Sequence, residues 1–161
     1  HGNKGNPIMI STFASLVLAT AMGMSSAATE GAPTDVMGDW MTPEKDSIIT
    51  ISDCGDGTPC GRLSWIDPET ATTTIDEFNQ DPAKKGRPLV GIMMLESFEA
   101  HKSGWRRGTI YNPRDGKTYR SKIARKPGGI LEVKGCVGPL CQTQQWTETE
   151  PMDKAVVDDT Q

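Results

Sequence analysis

Residues 117–135 read KTYRSKIARKPGGILEVKG, and their alternation decides the fold. From Lys117 to Arg125, one face carries Tyr119, Ser121 and Ile123, and the other carries Arg120, Lys122 and Ala124. Residues two apart share a face only in an extended chain, so this run is a strand with one face buried. Pro127, Gly128 and Gly129 then turn the chain. Ile130 to Gly135 returns with Leu131 and Val133 on a shared face. The unit is a β-hairpin.

Similar short runs flank it. Gly38 to Thr42 carries Trp40, and Ser47 to Asp53 is rich in β-branched residues. Gly61 to Asp67 carries Leu63, Trp65 and Ile66, and Leu89 to Glu99 is a longer apolar stretch. Trp105 to Tyr111 ends at a turn of Asn112, Pro113, Arg114, Asp115 and Gly116. Gln142 to Thr147 closes the series with Trp146. With the hairpin these make eight candidate strands, and short connections from the fourth onward imply antiparallel neighbours. A meander of this size closes on itself because closure removes exposed edges. The expected fold is therefore all-β, an eight-stranded antiparallel up-and-down barrel, with a β-sandwich as the alternative. The longest connection runs from Thr70 to Arg87 and reads as a functional loop or a plug across one mouth. Asp81 there can cap one short helical turn, with Pro82 at its first position and Gly86 ending it.

The chain has 161 residues, enough for one modest core and too few for a two-domain enzyme. Its net charge of −4 argues against a basic nucleic-acid face. A mean hydropathy of −0.46 excludes a polytopic membrane protein. The one long apolar run, Ile8 to Met24, follows Lys4 and precedes Ser26, Ala27 and Ala28. A basic start, an apolar centre and small residues before a cleavage point describe a secretory signal peptide over 1–28. Residues 29–35 then read as a linker, 36–148 as the barrel domain and 149–161 as a flexible acidic tail. Cys54, Cys60, Cys136 and Cys141 form two tight clusters, and in an exported chain an even count argues for disulfides. Gly55, Gly57, Pro59, Gly138 and Pro139 let the chain double back, which favours local pairing. A zinc site fits these spacings poorly. The expected location is the periplasm or the exterior of a bacterium.

A wider pattern spans residues 36–148. Its motifs are Gly38-Asp39-Trp40, Cys54, Cys60-Gly61-Arg62, Asp76-Glu77-Phe78-Asn79 and Gly86-Arg87-Pro88-Leu89-Val90-Gly91. It continues through Tyr111-Asn112-Pro113, Asp115-Gly116-Lys117-Thr118-Tyr119, Gly135-Cys136 and Trp146. Together these resemble the bacterial family called domain of unknown function 2147. The resemblance implies a lipocalin-like or calycin-like barrel in an exported protein and supplies no reaction. A basic residue is expected soon after the last tryptophan, to brace the barrel floor against Trp40. Here Glu148 stands in that region, with Arg62 as a candidate substitute.

Candidate ligand-binding residues are Trp65, Trp105, Arg107, Tyr111, Tyr119, Asp76, Asn79 and Arg87. The tryptophans can supply contact area or fill the barrel. Asp76, Asn79 and Arg87 can clamp a carboxylate, with Asp76 orienting the arginine, or can simply pin the long loop. Arg106 and Arg107 are adjacent, so in a regular strand only one could enter the barrel, and with Lys102 they could equally form a solvated patch. His101 sits in an apparent turn, without a nucleophile motif near it. No catalytic residue, metal or cofactor is expected. The expected activity is non-enzymatic binding of a small, partly apolar or amphipathic molecule. The alternative is an envelope protein partner for a barrel filled solid. Nucleic acid and stable membrane insertion are not expected.

Overall fold

The structure is a computed structural model that describes residues 30–150. The expected leader and all but the first two residues of the acidic tail lie outside the described residues. Turn residues cut the described chain into nine strands, β1 (Gly38–Met41), β2 (Ser47–Asp53), β3 (Pro59–Ile66), β4 (Met93–Glu96), β5 (Glu99–His101), β6 (Gly104–Asn112), β7 (Lys117–Lys126), β8 (Ile130–Val137) and β9 (Leu140–Thr149). Pairing is antiparallel throughout, and β1 joins β9 to close the sheet.

Both β4 and β5 lie along β6, with Glu96 opposite Thr109 and Glu99 opposite Arg106 in one continuous register. They are two pieces of a single barrel strand, broken at Ser97, whose φ is 63°. The closed barrel is thus eight-stranded and up-and-down, as the alternation predicts. The fourth expected strand, Leu89 to Glu99, is corrected at both ends. Gly91 (φ 97°) turns the chain before it can pair, and its N–H bonds to the Leu63 carbonyl at 2.7 Å. The expected helical turn is a single hydrogen-bonded turn, and no helix forms among the described residues. Asp81 caps it as expected, its side chain accepting from the Ala83 N–H at 2.9 Å.

Alternation sorts the faces. Trp40, Ile49, Leu63, Leu95, Ile123, Leu131, Val133 and Trp146 fill the inside. Lys122, Lys134 and Glu132 point outward from the 117–135 hairpin, and Lys134 lies 3.2 Å from Glu132. A charged exterior around an apolar interior is the inverse of a lipid-facing barrel. No helix among the described residues is long and apolar enough to cross a membrane.

One end is plugged. Trp40 is fully buried and donates from its indole N–H to the Val36 carbonyl at 2.9 Å. Trp105 reaches the Thr34 carbonyl at 2.8 Å, and the Arg125 N–H reaches that of Pro33 at 3.0 Å. The segment read as a linker is therefore stitched across the barrel floor. Arg62 does not brace Trp40. It is exposed and bonds to the Gly91 carbonyl at 3.0 Å. Arg125 takes the place instead, its guanidinium 5.2 Å from the Trp40 ring centroid and ion-paired to Glu148. The acid at position 148 thus recruits a base from the neighbouring side of the barrel, and the cation–π contact is worth about 1 kcal/mol or more when shielded from water.

The cysteines pair locally, Cys54 with Cys60 and Cys136 with Cys141. The first bridge closes the β2–β3 turn, where Asp53 accepts from the N–H groups of Gly55 and Gly57. These bonds hold the Asp53 carboxyl below its ordinary range. The second bridge joins residues directly opposite each other at the head of β8 and β9.

Candidate binding cavity and the carboxylate knot beside it

The half of the barrel away from the floor is hollow. A cavity of about 720 Å³ opens between the β1–β2, β6–β7 and β8–β9 turns. Ile49, Met94, Ile110, Val133 and Trp146 give it apolar walls, while Tyr119, Gln142 and Gln144 supply polar groups. Gln142 and Gln144 point inward on β9, opposite Gly135 and Val133, yet remain exposed because the lumen above Trp146 is empty. Gly135 contributes to that space, since a β-carbon there would come no nearer than 3.6 Å to Ile110. Val137 and Leu140 form an apolar lip, 65% and 77% exposed.

Across the mouth runs an ion pair. Arg114, in the β6–β7 turn, reaches Asp46 at 3.0 Å and Glu44 at 3.7 Å in the β1–β2 turn. Those two turns stand on opposite sides of an eight-strand circle, so the guanidinium spans the opening.

A second feature lies where the long loop meets the barrel. Asp76 is fully buried. One of its oxygens accepts from the Tyr111 hydroxyl at 2.5 Å, and the other from Asn79 Nδ2 at 2.8 Å and Arg87 Nε at 3.0 Å. Backbone bonds align Asp76 with Arg87, because Ile75 and Pro88 form an antiparallel bridge. The Arg87 guanidinium lies 6.0 Å from the Tyr111 ring centroid. Burial, and then the hydrogen bond to Asp76, push the Tyr111 hydroxyl up to about 12. Tyr119 is raised too, chiefly by its bond to Asp115. Beside the knot, a polar cleft of about 500 Å³ separates the loop from β4, β6 and β7.

The structure therefore joins Asp76, Asn79, Arg87 and Tyr111 in one cluster. Tyr111 and Tyr119 border both the cleft and the lumen. The remaining candidates lie elsewhere. Trp65 is half-buried opposite Ile48, past an irregularity in the β2–β3 register, and lines neither space. Trp105 packs near the floor. A bulge between Trp105 and Gly108 leaves both Arg106 and Arg107 exposed, with Arg107 paired to Glu99 at 3.1 Å. The bulge breaks the alternation under which one of them could have entered the barrel. Sequence reasoning missed Gln142, Gln144 and Arg114. The spacing of Leu140, Gln142, Gln144 and Trp146 carried the signal for the two glutamines.

A closed up-and-down barrel with one plugged floor and one open, mixed-polarity lumen is a lipocalin-like fold. The solved structure described as "Protein HP1028 from the human pathogen Helicobacter pylori belongs to the lipocalin family" is similar at a TM-score of 0.64 and 23% identity, covering 74% of this chain and 86% of that one. Residues 38–148 match the family described as "Uncharacterized protein conserved in bacteria (DUF2147)", and the chain belongs to that family. Comparison with curated proteins gives no match.

Proposed function

We propose that this protein is an exported, non-enzymatic binder of a small, partly apolar molecule held in the barrel lumen. The observation that carries this reading is the cavity of about 720 Å³, floored by Trp146 and open at one end. That volume falls in the range of small-molecule sites, which are mostly apolar with a few placed polar groups. Aliphatic walls take the apolar part, and Tyr119, Gln142 and Gln144 meet a polar group nearer the mouth. A solid barrel core, the alternative raised above, has no support in this lumen. Two disulfides fit the oxidising conditions outside the cytoplasm. Cleavage of the leader after Ala28 then releases a chain starting at Thr29.

Native mass spectrometry of the mature protein from its own periplasm tests the reading directly, through the mass of any co-purifying molecule and of the chain. A titration with octanoate and decanoate, read by tryptophan emission, tests the site. Each added methylene should tighten binding by about 0.8 kcal/mol while the lumen has room. Gly135→Leu fills the lumen without a backbone clash and should abolish binding with the fold retained by circular dichroism. Unchanged affinity in that variant would place the ligand elsewhere.

A further inference from the structure

The cleft beside the carboxylate knot has a feature that pinning a loop does not require. Arg87 spends only its Nε on Asp76, and its two terminal nitrogens have no hydrogen-bond or ion-pair partner among the described residues. The side chain is 35% exposed and borders the cleft, which Lys84 and Lys117 also line. Lys117 makes no ion pair among the described residues. Lys84 is only loosely tied, at 3.9 Å, to Asp81. Asp81 and Glu96 border the cleft as well, so the lining carries three cations and two anions, with Asp76 buried behind Arg87 as a third carboxylate.

We infer that this cleft is a binding site for a small oxyanion, a carboxylate or phosphate group, gripped by the outward edge of Arg87 and by Lys117. A guanidinium presents paired N–H donors that match two oxygens of such a group. Flexible surface arginines lose rotamer freedom when they bind. Arg87 is already fixed by Asp76, by the Asp76 N–H bond to its own carbonyl at 2.9 Å, and by the Tyr111 ring. The knot thus acts as a mount that aims the arginine, and Lys117 adds charge from the start of β7. The site adjoins the lumen at Tyr111 and Tyr119, but the inference holds whether or not the barrel carries a ligand.

The test is an amide and arginine side-chain NMR titration of the mature full chain with inorganic phosphate, then with decyl phosphate. Phosphate should shift the Arg87 Nε–H signal and the amides of Gly116 to Thr118 to saturation. Lys117→Ala leaves the knot untouched and should weaken this binding roughly ten-fold, the worth of one charge-assisted hydrogen bond. Lys122→Ala, on the outer face of the same strand, should leave the affinity unchanged. If the anion is free in its source, both probes bind equally. If it is the head of an amphiphile, decyl phosphate binds tighter and also moves signals of Ile110 and Val133. Shifts that grow linearly without saturation, or equal affinities in wild type and Lys117→Ala, overturn the proposal.

Discussion

A single buried carboxylate ties the longest loop of this protein to its barrel. Asp76 satisfies three side chains from one position, and each bond to it involves a charge in a shielded place, where such bonds are worth about 1.5–3 kcal/mol. Tyr111→Phe removes one of them while keeping the ring under Arg87. Chemical denaturation should register a loss of about 2 kcal/mol. The same hydroxyl sets an alkaline limit. Its folded value of about 12 exceeds the ordinary 10.0, so the fold holds the proton more tightly than the unfolded chain does. The hydroxyl's contribution is therefore complete below pH 10 and disappears as pH rises through 12. A spectrophotometric titration should show one phenolate forming near the upper value, and Tyr111→Phe should delete that step. Asp76, Asn79 and Arg87 were legible as a group because they lie close in sequence. Tyr111 joins them from 35 residues away, through a register that local pattern does not encode. Arg125 was legible in principle, since it continues the inward face of Tyr119, Ser121 and Ile123. Its partner Trp40 could not be read from one strand alone.

Among the elements, β4 is thinly paired: Gly61–Leu95 and Arg62–Met93 join it to β3, and Leu95–Ile110 and Glu96–Thr109 join it to β6, against seven pairs between β7 and β8. The long loop crosses the β6–β7 turn so close to Gly116 that a β-carbon there would sit 1.7 Å from the Phe78 carbonyl oxygen. Gly116 also has φ +68°, which side chains rarely adopt. Gly116→Ala should push the loop off that turn, costing about 2 kcal/mol or more. Hydrogen exchange checks this: the loop amides of Asp76, Gly86 and Leu89 should lose protection in the variant while those of β7 and β8 keep theirs. The strand pattern was readable wherever hydrophobic alternation was regular, most clearly from Lys117 to Gly135. It failed at Ser97 and at the Arg106–Arg107 bulge, where an unusual φ or an extra residue breaks the period of two.

At the scale of the molecule, two local disulfides staple a barrel that has a modest core. Each closes a loop of a few residues and should contribute roughly 2 kcal/mol by restricting the unfolded chain. Thermal unfolding after reduction should fall accordingly, and the Cys136–Cys141 bridge should matter most to the mouth, where it sets the spacing of Val137 and Leu140. Barrel closure was legible because eight short strands with tight turns have few other ways to hide their edges. The hollow was not, since whether inward residues meet depends on barrel curvature and on small side chains such as Gly135. The plugged floor has a kinetic corollary. A vessel sealed at one end has a single doorway, so under the binding function proposed above a ligand leaves by the route it came. A donor and an acceptor cannot both face that doorway at once. On that reading a handover runs as two separate encounters, with the loaded protein as a free species between them, past the Arg114 pairs with Asp46 and Glu44.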